Sequence, residues 1–221
     1  MCVICIKHRG VKFPTIETVE QMCDSNPHGF SLVIRGNSGK PRIYKTLKQS
    51  EFLTLYRNIL NEYDYQDTTM FIHARIKTHG TMRIENCHGW RANGIVFAHN
   101  GILSIENRGD MTDSETFFRD IFTPAYQVGK WKAAELTIKA IIGTSKFVFM
   151  ESNGDLKHYG NYINDNGLLY SNDSYKPRVY PKWGGSGYLR SGYTTSGRRI
   201  TTCDANWIDE YYNNNRYDYE K

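Results

Sequence analysis

Cys2 follows Met1 directly and opens an apolar, β-like run, Cys2-Val3-Ile4-Cys5-Ile6. Loss of Met1 would expose an α-amine on Cys2, and model α-amines titrate near 7.7 to 8.0, so that amine could serve as base for its own thiol. Nucleophile and base would then sit on one residue, a known form of covalent catalysis. Four further polar or Gly-containing clusters lie at or beside the ends of β-like runs, where rigid scaffolds present catalytic groups: Asn26 to Gly29, His73 to Gly80, His99-Asn100-Gly101 and Thr112 to Glu115. Arg75 can offer a planar fork to a carboxylate, and Asp113 can pair with an ammonium, so together they would grip an amino acid. Asn100 supplies a side-chain amide donor and Gly101 a backbone donor with room for close approach, a pairing suited to an oxyanion hole. The same residues have ordinary uses: a buried structural cysteine, a surface ion pair, a plain Asn-Gly turn, and a helix cap at Thr112 or Asp113.

Cys2-x-x-Cys5 carries neither redox nor metal chemistry on this reading. In a strand, residues three apart point to opposite faces, and His8, Cys23, Cys87 and His88 offer no regular second pair of zinc ligands. No metal is expected.

The elements that must position these groups are short. Strands are predicted at Cys2 to Ile6, Phe30 to Ile34, Met70 to Ile76, Ile95 to Ala98 and Lys146 to Glu151. Helices are predicted at Thr15 to Asp24, Ser50 to Tyr63, Asp113 to Phe122 and Lys130 to Ile142, with Ser50 capping the second. Phe52, Leu55, Tyr56, Ile59 and Leu60 recur at helical spacing and mark a core face. Asn-Gly steps at Ser152 to Asp155 and Asn164 to Gly167 predict hairpins. The sum is an α+β fold with antiparallel sheet.

Composition sets the outer limits. The chain has 221 residues, 39% hydrophobic and 23% charged, which suits one globular domain with a modest appendage. The net charge of +5 is too mild to make a nucleic-acid or membrane binder by itself. No apolar run approaches the roughly 18 residues of a membrane helix, and the N-terminus lacks the pattern of a secretory signal. With 5 sparse cysteines, the chain reads as cytoplasmic with reduced thiols. Past residue 175 Gly, Ser, Asn and Tyr dominate, predicting a loosely docked or disordered tail over 176–221. Six basic and five acidic residues from Pro181 onward give that tail little pull on phosphates, so nucleic acid is not an expected partner.

In order along the chain, Cys2, Asn26 to Gly29, Arg75 to Gly80, Asn86-Cys87-His88, His99-Asn100-Gly101 and Thr112 to Glu115 resemble the motifs of the class II glutamine amidotransferases. The resemblance runs over roughly 2–175 and ends at Leu169 to Ser174. It implies the four-layer αββα sandwich of the N-terminal nucleophile hydrolases and hydrolysis of the glutamine side-chain amide through a Cys2 thioester, with no cofactor. It further implies Cys2 as nucleophile and, through its amine, as acid/base group, with Asn100 and the Gly101 amide as oxyanion hole. Arg75 would hold the α-carboxylate with Thr78 and the His79 backbone, and Asp113 the α-amine. Ile76, Ser31 and Gly89 depart from the family pattern. An amidase for another linear or γ-glutamyl amide, or a non-catalytic binding module, stays open at this point. Ammonia from glutamine would pass to a separate synthase or ligase subunit, for which the Tyr-rich tail is a candidate docking element.

Overall fold

In the computed structural model, residues 2–77 and 82–177 are described, with the backbone of 192–193 and 199–200. The chain divides into two units, Met1–Pro177 and Arg178–Lys221. Of the second, only an antiparallel pairing of Gly192–Tyr193 with Arg199–Ile200 is described, so the expected tail falls mostly outside the described residues.

In the first unit the elements follow one another as β1 (Val3–Lys7), α1 (Ile16–Ser25), β2 (Phe30–Arg35), β3 (Arg42–Thr46), α2 (Gln49–Glu62) and β4 (Thr69–Ala74). After a 3-10 turn at Ile84–Asn86 come β5 (Trp90–Ala92), β6 (Ile95–Asn100), α3 (Asp113–Thr116), a π-helical segment (Phe117–Phe122) and α4 (Thr123–Ile141). The unit closes with β7 (Lys146–Met150), β8 (Leu156–Tyr159), β9 (Ile163–Asp165) and β10 (Leu168–Tyr170). One sheet has the order β3-β2-β4-β1-β10-β9 and the other β5-β6-β7-β8, all pairings antiparallel. The α+β reading with antiparallel sheet holds.

Period-two alternation sends each strand's side chains into different cores. Val3 and Cys5 pack with Phe30, Leu32 and Ile72 against Val19, Met22, Phe52 and Tyr56 of α1 and α2. Ile4, Ile6, Val33 and Phe71 meet Val96, Ala98, Val148 and Met150 of the other sheet. The opposite face of that second sheet, Phe97, Phe147 and Phe149, packs on Phe117, Phe118, Phe122 and Ile138. Phe97 stands at the centre of this aromatic cluster, with the Phe149 ring at 4.8 Å and the Phe118 ring at 5.2 Å. Burying each such ring contributes about 1.5–3 kcal/mol.

Three expectations are corrected. Helix α2 starts at Gln49, so Ser50 lies inside it; the capping position is Lys48, whose side chain makes no capping bond. The helix expected at Asp113 to Phe122 runs on past Phe122 to a break at Lys130 (φ 51°, ψ −146°), after which a second helix reaches Ile141, as expected for Lys130 to Ile142. The π-helical turn of the first precedes Pro124, which has no N–H to donate and whose ring would strike the carbonyl four residues back. Finally, the strand expected to reach Ile76 ends at Ala74, and Arg75 turns away to bond the Asn26 to Gly29 loop. Among the described residues no helix is long and apolar enough to cross a membrane.

Candidate active site

Strand register brings the clusters together. Val3 lies opposite Ala74, and Ala74 opposite Phe30, so Cys2, Arg75 and Gly29 emerge at the same end of the first sheet. The Arg75 N–H donates to the Gly29 carbonyl at 2.8 Å, and the Arg75 carbonyl accepts from the His28 N–H at 2.8 Å. The Lys77 N–H donates to His28 Nδ1 at 2.8 Å, which fastens the exit of the strand to the same loop. Gly29 is required here: its φ is +139°, and a Cβ would stand 2.6 Å from Cys87 Sγ. Asn26 is spent on structure, since its amide donates to the Met22 carbonyl at 3.0 Å and caps α1.

A cleft of about 270 Å³ opens at this end, with Cys2, Arg75, Gly101 and Asp113 among its walls. Four groups that are far apart in the chain therefore share one cavity. The Cys2 thiol lies 3.6 Å from the Ile76 carbonyl, and the Cys2 carbonyl accepts from Asn172 Nδ2 at 2.6 Å. Burial pushes the Cys2 thiol above its ordinary value, with the Ile76 carbonyl bond and the Arg75 charge pulling the other way. The thiol is thus protonated at neutral pH and needs a base to become a nucleophile.

Gly101 has φ +148°, and a Cβ there would lie 2.1 Å from Ser145 Oγ and 2.9 Å from His99 Nε2. Only glycine fits. Asn100, 3% exposed, directs its side chain onto Ser171: Nδ2 donates to Ser171 Oγ at 2.7 Å, and Oδ1 is buried without a partner among the described residues. Asp113 is held on both oxygens, Oδ2 by the Leu103 N–H at 2.8 Å and Oδ1 by the Ser114 N–H at 2.7 Å. Of the two capping candidates, Thr112 caps α3, its Oγ1 accepting from the Glu115 N–H at 3.3 Å. Asp113 is left to fix the loop and face the cleft. Thr78 and His79 lie outside the described residues.

Three imidazoles form a buried column beside this site. The rings of His73 and His88 stack at 3.8 Å, and those of His88 and His99 lie nearly parallel at 6.3 Å. His99 Nδ1 shares a hydrogen bond of 2.7 Å with Ser114 Oγ, which also bonds Asp113 Oδ1 at 3.1 Å. Each histidine fell inside a cluster recognisable in the sequence, but none announces stacking, because the rings come from β4, a loop and β6. The supporting roles of Ser171 and Asn172 were equally hidden, the one signal being an Asx- and Ser-rich stretch just past a strand. Among the described residues no group of His, Cys, Asp and Glu could hold a metal.

Burial holds His73 and His88 well below the ordinary imidazole value, with the Arg75 charge adding to the effect on His73 and His73 adding to it on His88. His99 is lowered to about 4 by burial, with Asp113 opposing. In the unfolded chain each would take a proton near 6.5, so below that pH the unfolded state binds more protons. The stability these rings contribute is complete above about pH 6.5 and is lost as pH falls toward their folded values, by about 2 kcal/mol at pH 5 for His99. The urea midpoint is therefore expected to drop between pH 7.5 and pH 5; a flat profile would show that the column is charged or solvated.

No family model matches this chain, and no curated protein matches its sequence. Solved structures do. A glutamine phosphoribosylpyrophosphate amidotransferase from B. subtilis superposes with a TM-score of 0.52 at 15% identity, over 77% of this chain and 42% of that one. A glutamine aminotransferase class-II domain protein from Silicibacter pomeroyi gives a TM-score of 0.41 at 14% identity, over 90% of this chain and 86% of that one. The likeness is one of fold. The described unit has the mixed, two-sheet architecture found in a glutamine amidotransferase, in agreement with the resemblance carried by the motif order, and the chain spans less than half the length of the B. subtilis enzyme.

Proposed function

We propose that residues 2–175 are a class II glutaminase domain, a four-layer αββα sandwich that hydrolyses the side-chain amide of glutamine to glutamate and ammonia. The observation that carries this reading is the convergence of Cys2, Arg75, Gly101 and Asp113 on one cleft from four separate parts of the chain. The three apolar clusters, one between the sheets and one under each helical layer, support the layered fold.

With Met1 removed, the Cys2 amine takes the thiol proton, and Sγ attacks the amide carbon. Negative charge gathers on the former carbonyl oxygen and is met by the Gly101 N–H and the Asn100 amide. Collapse breaks the C–N bond, the amine's proton leaves with ammonia, and a thioester remains. Water, deprotonated by the same amine, releases glutamate and restores the thiol. Arg75 grips the α-carboxylate, aided by Thr78 and the His79 backbone, while Asp113 pairs with the α-amine. These two charges select an amino acid and set the amide over Sγ. The ammonia passes to an acceptor on a separate synthase or ligase subunit.

The test is the intact mass of the purified protein before and after the glutamine-mimicking electrophile 6-diazo-5-oxo-norleucine. A mass lacking Met1 and a single adduct mapped to Cys2 is the expected result. Retained Met1 with no adduct would leave the Cys2 nitrogen locked in a peptide bond and overturn the mechanism.

A further inference from the structure

Three side chains in the wall of the cleft form a short hydrogen-bonded chain. His99 Nδ1 lies 2.7 Å from Ser114 Oγ, and Ser114 Oγ lies 3.1 Å from Asp113 Oδ1. A ring C–H would meet the hydroxyl oxygen at about 3.3–3.6 Å, so the ring atom at this contact is a nitrogen. His99 is 1% exposed and Ser114 3%, so water does not compete for the bonds between them.

Proton count gives the chain its direction. As a carboxylate Asp113 has no proton to give, so it accepts the single proton of the Ser114 hydroxyl, and that hydroxyl in turn accepts from His99, whose proton sits on Nδ1. Burial lowers His99 to about 4 against the pull of the Asp113 charge, which leaves the ring neutral at pH 7. A carboxylate offers about four lone-pair sites, and three of these are taken: two on Oδ1 by the Ser114 N–H and O–H, and one on Oδ2 by the Leu103 N–H. Among the described residues no lysine or arginine forms an ion pair with Asp113. A carboxylate fixed by three neutral donors in a cleft wall, with one lone pair left, is prepared for a cation that arrives with the ligand.

We propose that Ser114 is a positioning residue that makes the cleft selective for a ligand α-ammonium, by holding the Asp113 carboxylate toward the cleft and off the His99 ring; the inference rests on the amino-acid-binding part of the glutaminase reading. Ser114 acts through Asp113, as a spacer with a proton. Without its hydroxyl the Nδ1 proton of His99 is buried with no acceptor, and the nearest compensating charge is the Asp113 carboxylate. The carboxylate then turns to the ring, and its open lone pair is lost to the ligand.

The experiment is calorimetric titration of the full chain, as wild type, Ser114→Ala, Ser114→Thr and Asp113→Asn, with L-glutamate and with glutarate, the same diacid without the α-ammonium. Wild type is expected to bind L-glutamate at least about 10-fold more tightly than glutarate, and Asp113→Asn to erase that preference. Ser114→Ala weakens L-glutamate by about 10-fold and leaves glutarate within about 2-fold, while Ser114→Thr, which keeps the hydroxyl, retains the preference. A wild-type preference that Asp113→Asn erases and Ser114→Ala keeps would overturn the Ser114 assignment alone. Equal losses for both ligands in Ser114→Ala would do the same, since they are the mark of a merely structural role. If Ser114→Ala does not fold, Ser114→Cys keeps the volume with a weaker donor and is read in the same way. A wild type that binds the two diacids alike, or binds neither, removes the amino-acid reading of the cleft and the Ser114 assignment with it.

Discussion

Cys2→Ala is expected to lower glutamine turnover by at least about 10⁴-fold, to background, because it removes the atom proposed to form the covalent intermediate and leaves the amine with no thiol to deprotonate. Binding should survive. On the proposed reading Arg75 and Asp113 hold the α-substituents of the amino acid independently of Sγ, so glutamate or glutamine is expected still to protect the variant against thermal unfolding. The fold should survive too, since among the described residues the Cys2 thiol makes one long hydrogen bond, 3.6 Å to the Ile76 carbonyl, while the strand is held by its backbone register with β4 and β10. Turnover measured by ammonia release, beside a melting curve with and without glutamine, checks all three statements. Activity within tenfold of wild type would move the chemistry away from Cys2.

Asn100→Ala should cost on the order of 10²- to 10³-fold in kcat with little change in KM, the usual result of deleting one oxyanion donor. Its effect on stability separates function from scaffolding. The alanine loses the 2.7 Å bond to Ser171, worth about 1 kcal/mol, but it also removes a buried Oδ1 that has no partner among the described residues and whose desolvation costs about 1–3 kcal/mol. The two terms oppose, so the unfolding free energy is expected to stay within about 1 kcal/mol of wild type. A stable protein with crippled kcat is the pattern of a residue kept for chemistry. A large loss of stability with unchanged kcat would instead make Asn100 a structural link between the sheets.

Much of the candidate site was legible because its motifs are local. Asn-Gly after a β-like run, an Arg at a strand end and a Thr-Asp pair before a helix are fixed by short-range rules of capping, alternation and backbone freedom. Gly101 illustrates the limit of such rules. Its identity is readable as a site of close approach, but the atoms that force it, Ser145 Oγ and His99 Nε2, come from elsewhere in the chain and from the neighbouring ring. The helix end expected at Phe122 shows the same limit: the helix runs on past it to the break at Lys130, with Phe117, Phe118 and Phe122 on its buried face.

The sequence alone offered the nucleophile candidate, the opposite facing of Cys2 and Cys5 along a strand, the α+β class and the four clusters that could grip and activate an amino acid amide. Only the tertiary structure decided that Cys2 and three of these clusters, without Asn26 to Gly29, line one cleft, that Thr112 and not Asp113 caps α3, that three histidines stack, and that Ser171 lies between Asn100 and Ile4. The physical reason is range. Propensities and periodicity act over a few residues, whereas the Asn100 to Ser171 bond closes a separation of 71 residues and that of Ile4 to Ser171 one of 167, distances over which only strand register and core packing choose partners.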